Sequence, residues 1–128
     1  MKLILLLHVM LAIVFSSCSF FTKKDDLPAF IPGTYVSEWS SEFAESRDTL
    51  QIQLAASAGS ETYQITRRTY HRYSQDTKPL PPQYKIDKWT ASYAPREKIL
   101  LIHRNGRVLS FDPDNHTMKM GVTIYKKL

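Results

Sequence analysis

From residue 33 onward, apolar and polar side chains alternate with a period close to two, as expected of strands half buried against a core. GTYVSEW (33–39) follows Pro32 and predicts the first strand. TLQIQLA (49–55) alternates cleanly, with Leu50, Ile52 and Leu54 on one face and Thr49, Gln51 and Gln53 on the other. TYQITRRTYHRY (62–73) predicts a long strand with Tyr63, Ile65, Thr69, His71 and Tyr73 on one side and Arg68, Tyr70 and Arg72 on the other. YKIDKWTASY (84–93) changes phase, Tyr84 and Ile86 on one face and Trp89, Ala91 and Tyr93 on the opposite one, which predicts a β-bulge near Asp87–Lys88. In KILLIHRNGRVLSF (98–111), Asn105-Gly106 between apolar runs predicts a two-residue type I′ hairpin pairing Ile102 with Leu109 and Leu100 with Phe111. TMKMGVTIY (117–125) reads as one closing strand with Met118, Met120, Val122 and Ile124 together.

Between these runs, 57–61, 94–97 and 112–115 are turns, and 74–83 is a loop stiffened by Pro79, Pro81 and Pro82. Residues 40–47 read as a polar loop with one helical turn around Phe43. The expectation is an all-β fold: a small antiparallel meander barrel of about seven or eight strands, closed because closure removes exposed edges.

The first thirty residues break the pattern. After Met-Lys, residues 3–15 are apolar except for His8. Thirteen residues are short of the ~20 that span a bilayer, and they fit the core of a secretory signal. Ser16, Ser17 and then Cys18 follow. This junction resembles the lipobox of bacterial lipoproteins, with Phe15 standing where Leu is commonest. The resemblance implies cleavage before Cys18 and acylation of its sulfur and new amino terminus, which gives the two or more chains that stable membrane attachment requires. Cys18 is the sole cysteine, so it has no disulfide partner. The layout resembles small lipoproteins of Bacteroidota-type bacteria and divides the chain into a signal (1–17), a tether (18–29) and one domain (30–128). It implies a cell-envelope protein, lipid-anchored at the outer membrane and periplasmic or surface-exposed.

Charge adds one feature. The chain is +5 overall, but residues 30–66 carry five acids and one base, and residues 67–128 thirteen bases and five acids. A basic face could form, or barrel closure could bring the two halves together and cancel it. Export argues against nucleic acid as a partner and leaves an envelope protein or glycan.

Candidate chemistry is sparse. Glu42, Glu45 and Asp48 cluster, but in a stretch that reads as solvated loop. His71, His103 and His116 lack the spacing of strand-borne zinc ligands, so no metal or other cofactor is expected. No nucleophile motif or phosphate loop occurs, which points away from an enzyme. Arg68, Tyr70 and Arg72 interleave basic and aromatic groups on one strand face, able to stack on a sugar or grip an acid; such arginines can equally be paired with neighbouring acids. Tyr63, His71 and Tyr73 share the other face and would line a pocket if that face is interior.

Pro-Gly-Thr-Tyr (32–35) opening an aromatic-rich meander resembles the calycin, or lipocalin-like, class; Gly33 and Tyr35 stand where lipocalins have Gly-x-Trp. Two readings follow. One is a non-catalytic binding or interaction module. The other is a lipocalin-like carrier of a small apolar ligand. Tyr63, Tyr73, Trp89, Leu100, Phe111 and Ile124 compete for the interior of so small a barrel, which favours a filled barrel and the interaction module.

Overall fold

The computed structural model describes residues 25–55 and 61–128. A single helical turn, α1 (Leu27–Phe30), precedes β1 (Gly33–Ser40), β2 (Ala44–Leu54), β3 (Thr62–Gln75), β4 (Lys78–Pro79), β5 (Gln83–Ala94), β6 (Ile99–Ile102), β7 (Val108–Asp112), β8 (Thr117–Met120) and β9 (Thr123–Lys127). β4 folds back only onto the end of β3. The other eight strands pair antiparallel in chain order, and β9 returns to β1. The result is a closed eight-stranded meander barrel.

Inward positions follow from the register, since directly opposed residues share a face. Tyr35, Leu50 and Arg67 face one another across β1, β2 and β3; Ile52, Ile65 and Trp89 do so across β2, β3 and β5. The lower half of the barrel is solid. Leu50, Ile52, Tyr63, Ile65, Leu100 and Leu109 are all sealed from solvent there.

α1 closes the bottom. Leu27 and Ile31 are buried, and the Phe30 ring meets Tyr35 and Phe111 edge-on at 6.2 and 6.3 Å. The Tyr35 hydroxyl donates to the carbonyls of Phe30 (3.1 Å) and Ile31 (2.9 Å). Lys127 Nζ also donates to the Phe30 carbonyl. Tyr93 donates to Asp25 at 2.5 Å. The residues just before 30 therefore pack as part of the barrel, because Leu27 and Ile31 supply the apolar surface that covers its lower end.

Four local expectations need correction. Residues 40–47 are not a loop: β1 runs to Ser40, β2 begins at Ala44, and Ser41 Oγ caps the tight turn by accepting from the Phe43 and Ala44 amides (3.2 and 3.3 Å). The β5 bulge does not occur. The β3–β5 register is continuous from Thr62↔Ser92 to His71↔Gln83, and Tyr84 and Ile86 simply face outward. The β6–β7 register is Leu100↔Leu109, two residues from that of an Asn-Gly hairpin. Only Gly106 (φ +67) takes the left-handed conformation, whereas type I′ needs two such residues. Because the shift is two residues, every side chain keeps its face. Finally, 117–125 is two strands. Gly121 (φ +60) turns the chain, Val122 and Ile124 point to solvent, and Tyr125 takes the inward place opposite Met118.

Strand lengths make the barrel lopsided. β2, β3 and β5 have 11, 14 and 12 residues, whereas β6 to β9 have only four or five. At ~3.3 Å per residue, one wall stands roughly 20 Å above the other. The upper inner face of the tall wall is left uncovered.

Candidate functional site

Above the packed core, the tall wall and the short rim enclose an open trough of about 770 Å³. Its floor is an inward-facing polar group from three strands. Arg67 on β3 donates from Nε to both Asp48 oxygens (2.9 and 3.1 Å) and from Nη2 to Oδ2 (2.6 Å). Tyr125 on β9 donates to the same Oδ2 at 2.7 Å. The ion pair is largely enclosed, with side-chain exposures of 21% for Arg67 and 13% for Asp48. Four donor contacts on one carboxylate fix its position.

Arg67 Cζ lies 5.6 Å from the centroid of the Trp89 ring. Arg107, at the start of the short rim, brings its own Cζ to 5.9 Å from the same ring. Further up, His71 and Ser46 are cross-strand partners on the tall wall, and His71 Nε2 is buried with no partner among the described residues. Trp39, Val108 and Val122 complete the lip.

Burial raises the pKa of three tyrosines, Tyr35, Tyr93 and Tyr125, well above the usual phenol value of 10.0. Burial is the largest cause in each; the neighbouring carboxylate adds to it at Tyr93 (Asp25) and Tyr125 (Asp48), and Arg67 and Arg107 partly oppose it at Tyr125. The folded state thus binds these protons more tightly than the unfolded chain does. Their contribution to stability is complete below pH 10 and is lost as the pH rises through the folded values. An ultraviolet absorbance titration is expected to show Tyr35, Tyr93 and Tyr125 ionising late and together with loss of the barrel's circular dichroism. A single smooth step near pH 10 covering all seven tyrosines, with the fold intact, would contradict their burial.

The residues singled out from sequence fall in different places. Cys18 lies outside the described residues. Arg68, Tyr70 and Arg72 share the outer face of β3, away from the trough. There Glu45 accepts from the Tyr70 hydroxyl at 2.6 Å and pairs with Arg72 at 2.7 Å, while Arg68 reaches Gln51 at 3.5 Å. The Tyr70 and Tyr84 rings pack 5.4 Å apart beside an outer cleft that Trp39 also borders. Of the other three, Tyr63 is sealed in the core, His71 lines the trough, and Tyr73 stands half exposed at the mouth with its ring 4.2 Å from that of His71.

Asp48 is corrected from a solvated loop acid to the centre of the floor. Arg67, Arg107, Tyr125 and Trp39 were not selected from sequence at all. A signal existed for two of them: Asp48 has the parity of Leu50 and Ile52, and Arg67 that of Tyr63 and Ile65. Opposite charges on two inward faces are a reason to look for an interior pair. The remaining histidines are elsewhere. His103 bonds Thr90 and Ser92 on the outer wall (3.1 and 2.5 Å), and His116 packs against Phe30. No group of three metal-ligating side chains occurs among the described residues.

The chain matches no protein-family model, no curated protein and no solved structure.

Proposed function

We propose that this protein is a lipid-anchored, non-catalytic binding module of the cell envelope that receives its ligand in the open end of a lipocalin-like barrel. The observation that carries this reading is the division of the interior. One half is packed solid, and the other is an open trough with a charged floor and an apolar lip. A cavity of several hundred Å³ with a few convergent polar groups is the usual form of a small-molecule site. Asp48 favours binding over catalysis, since its oxygens already accept from Arg67 and Tyr125. The same charged floor makes a purely apolar ligand a poor occupant, because burying it there would strip water from those groups without replacing the lost contacts.

Anchoring at Cys18 fits this arrangement. Asp25 enters at the closed end beside Tyr93, so a chain held at Cys18 presents its trough away from the membrane. Native mass spectrometry of the protein, isolated from its own envelope as a Cys18→Ser chain without detergent, tests the reading. A non-covalent species that leaves on activation and is absent from a Ser46→Trp variant, whose indole intrudes on the trough, is the expected result. A bare mass for the parent chain would count against a ligand at the open end.

A further inference from the structure

Of the two cations that line the trough, Arg67 is already matched, held by Asp48. Arg107 has no ion-pair partner among the described residues, although it lines the same trough. Its guanidinium carbon lies 5.9 Å from the Trp89 ring centroid, the outer reach of a cation–π contact. A guanidinium with no ion-pair partner keeps its planar N–H fork for a planar acceptor, the geometry of a carboxylate. One unmatched positive charge suits a monoanion and disfavours a cation.

The lip indicates the rest of the ligand. Trp39, at the top of β1, is 57% exposed, and Val122, in the turn that leads into the neighbouring strand β9, is 94% exposed; Val108 follows Arg107 on the same rim. These are apolar surfaces that a flat body could cover. His71 Nε2 offers one more buried polar contact in the same space.

We infer that the trough selects a small organic monocarboxylate with a flat apolar body, its carboxylate on the Arg107 fork and its body against the exposed Trp39 and Val122 side chains. The inference rests on the reading of the open end as the ligand site and adds the chemistry of what enters it.

Trp39 borders the trough and Trp89 lies beside Arg107, so tryptophan fluorescence of the full chain in lipid nanodiscs reports on this site, and Arg107→Gln separates it from the outer cleft that Trp39 also borders. Three probes share one body: 3-phenylpropanoate, 3-phenylpropanol and 3-phenylpropylammonium. Saturable quenching or shift by the carboxylate is expected, with affinity about tenfold or more above the alcohol and the ammonium, a difference of about 1.4 kcal/mol. In Arg107→Gln the carboxylate should fall to the level of the alcohol, with the melting curve unchanged because the side chain is exposed. Equal binding of all three probes, or an Arg107→Gln protein that binds the carboxylate as the parent does, overturns the carboxylate assignment but leaves the open end as a binding site. If none of the three binds, the carboxylate assignment is also overturned. The mass-spectrometric comparison with Ser46→Trp then decides the broader reading independently.

Discussion

Replacing Asp48 with Ala is expected to destabilise the barrel by about 3 kcal/mol, the lower end of the range for breaking a buried ion pair. The variant removes the acceptor of Arg67 Nε and Nη2 and of the Tyr125 hydroxyl in one step. The guanidinium then stays over Trp89, mostly enclosed, without the carboxylate that accepted its hydrogen bonds. The lower end applies because exposures of 21% and 13% still admit some solvent screening. Urea unfolding followed by tryptophan fluorescence measures the effect, and the melting temperature should fall by roughly 10 °C or more. Asp48→Asn keeps the shape and one acceptor and should cost less, about 1–2 kcal/mol. The double variant Asp48→Leu with Arg67→Met replaces both charges with apolar bulk and should recover most of the loss, as buried pairs commonly do. An Asp48→Ala protein within about 0.5 kcal/mol of the parent would mean that the pair behaves as a surface ion pair, and that the trough floor is not the enclosed network described above.

The second large effect is one of location. Cys18→Ser is expected to move the protein from the membrane fraction to a soluble form or an uncleaved precursor. The expectation follows from the apolar run 3–15 and the Ser16-Ser17-Cys18 junction, which make Cys18 the proposed acceptor of the lipid. A single acyl chain holds a protein with a partition constant of only about 10⁴ M⁻¹, so attachment needs two or more chains, and all of them depend on processing at this residue. Fractionation with mass measurement of the recovered chain checks it. A Ser variant that stays with the membrane at the mass of the parent would remove the lipoprotein reading.

The all-β class and the meander were legible because a strand's signal is local. Alternation at residues 49–55 and 62–66 and turns at Gly106 and Pro113 can be read without knowing what lies opposite. The reading weakened where the tall wall rises above its neighbours. There the inner face lines a polar trough rather than an apolar core, so residues 44–48 carry no hydrophobic alternation and look like a loop. It failed again at residues 117–125, where apolar residues alternate straight through a turn. Nothing in the local pattern marked Gly121 as the point of reversal, and Val122 and Ile124 took the phase that belongs to Thr123 and Tyr125.

The sequence by itself determined the small all-β meander and raised Cys18 as a candidate lipid site, because periodicity, turn residues and the apolar run before Cys18 act over a few neighbouring positions. Tertiary structure alone decided where the site is. Asp48 lies 19 residues from Arg67 and 77 from Tyr125, and barrel closure places all three within hydrogen-bonding distance. It also decided which face of each mixed strand turns inward and which wall stands taller. Those outcomes depend on register and strand length across the whole sheet, which couple residues that share no local pattern.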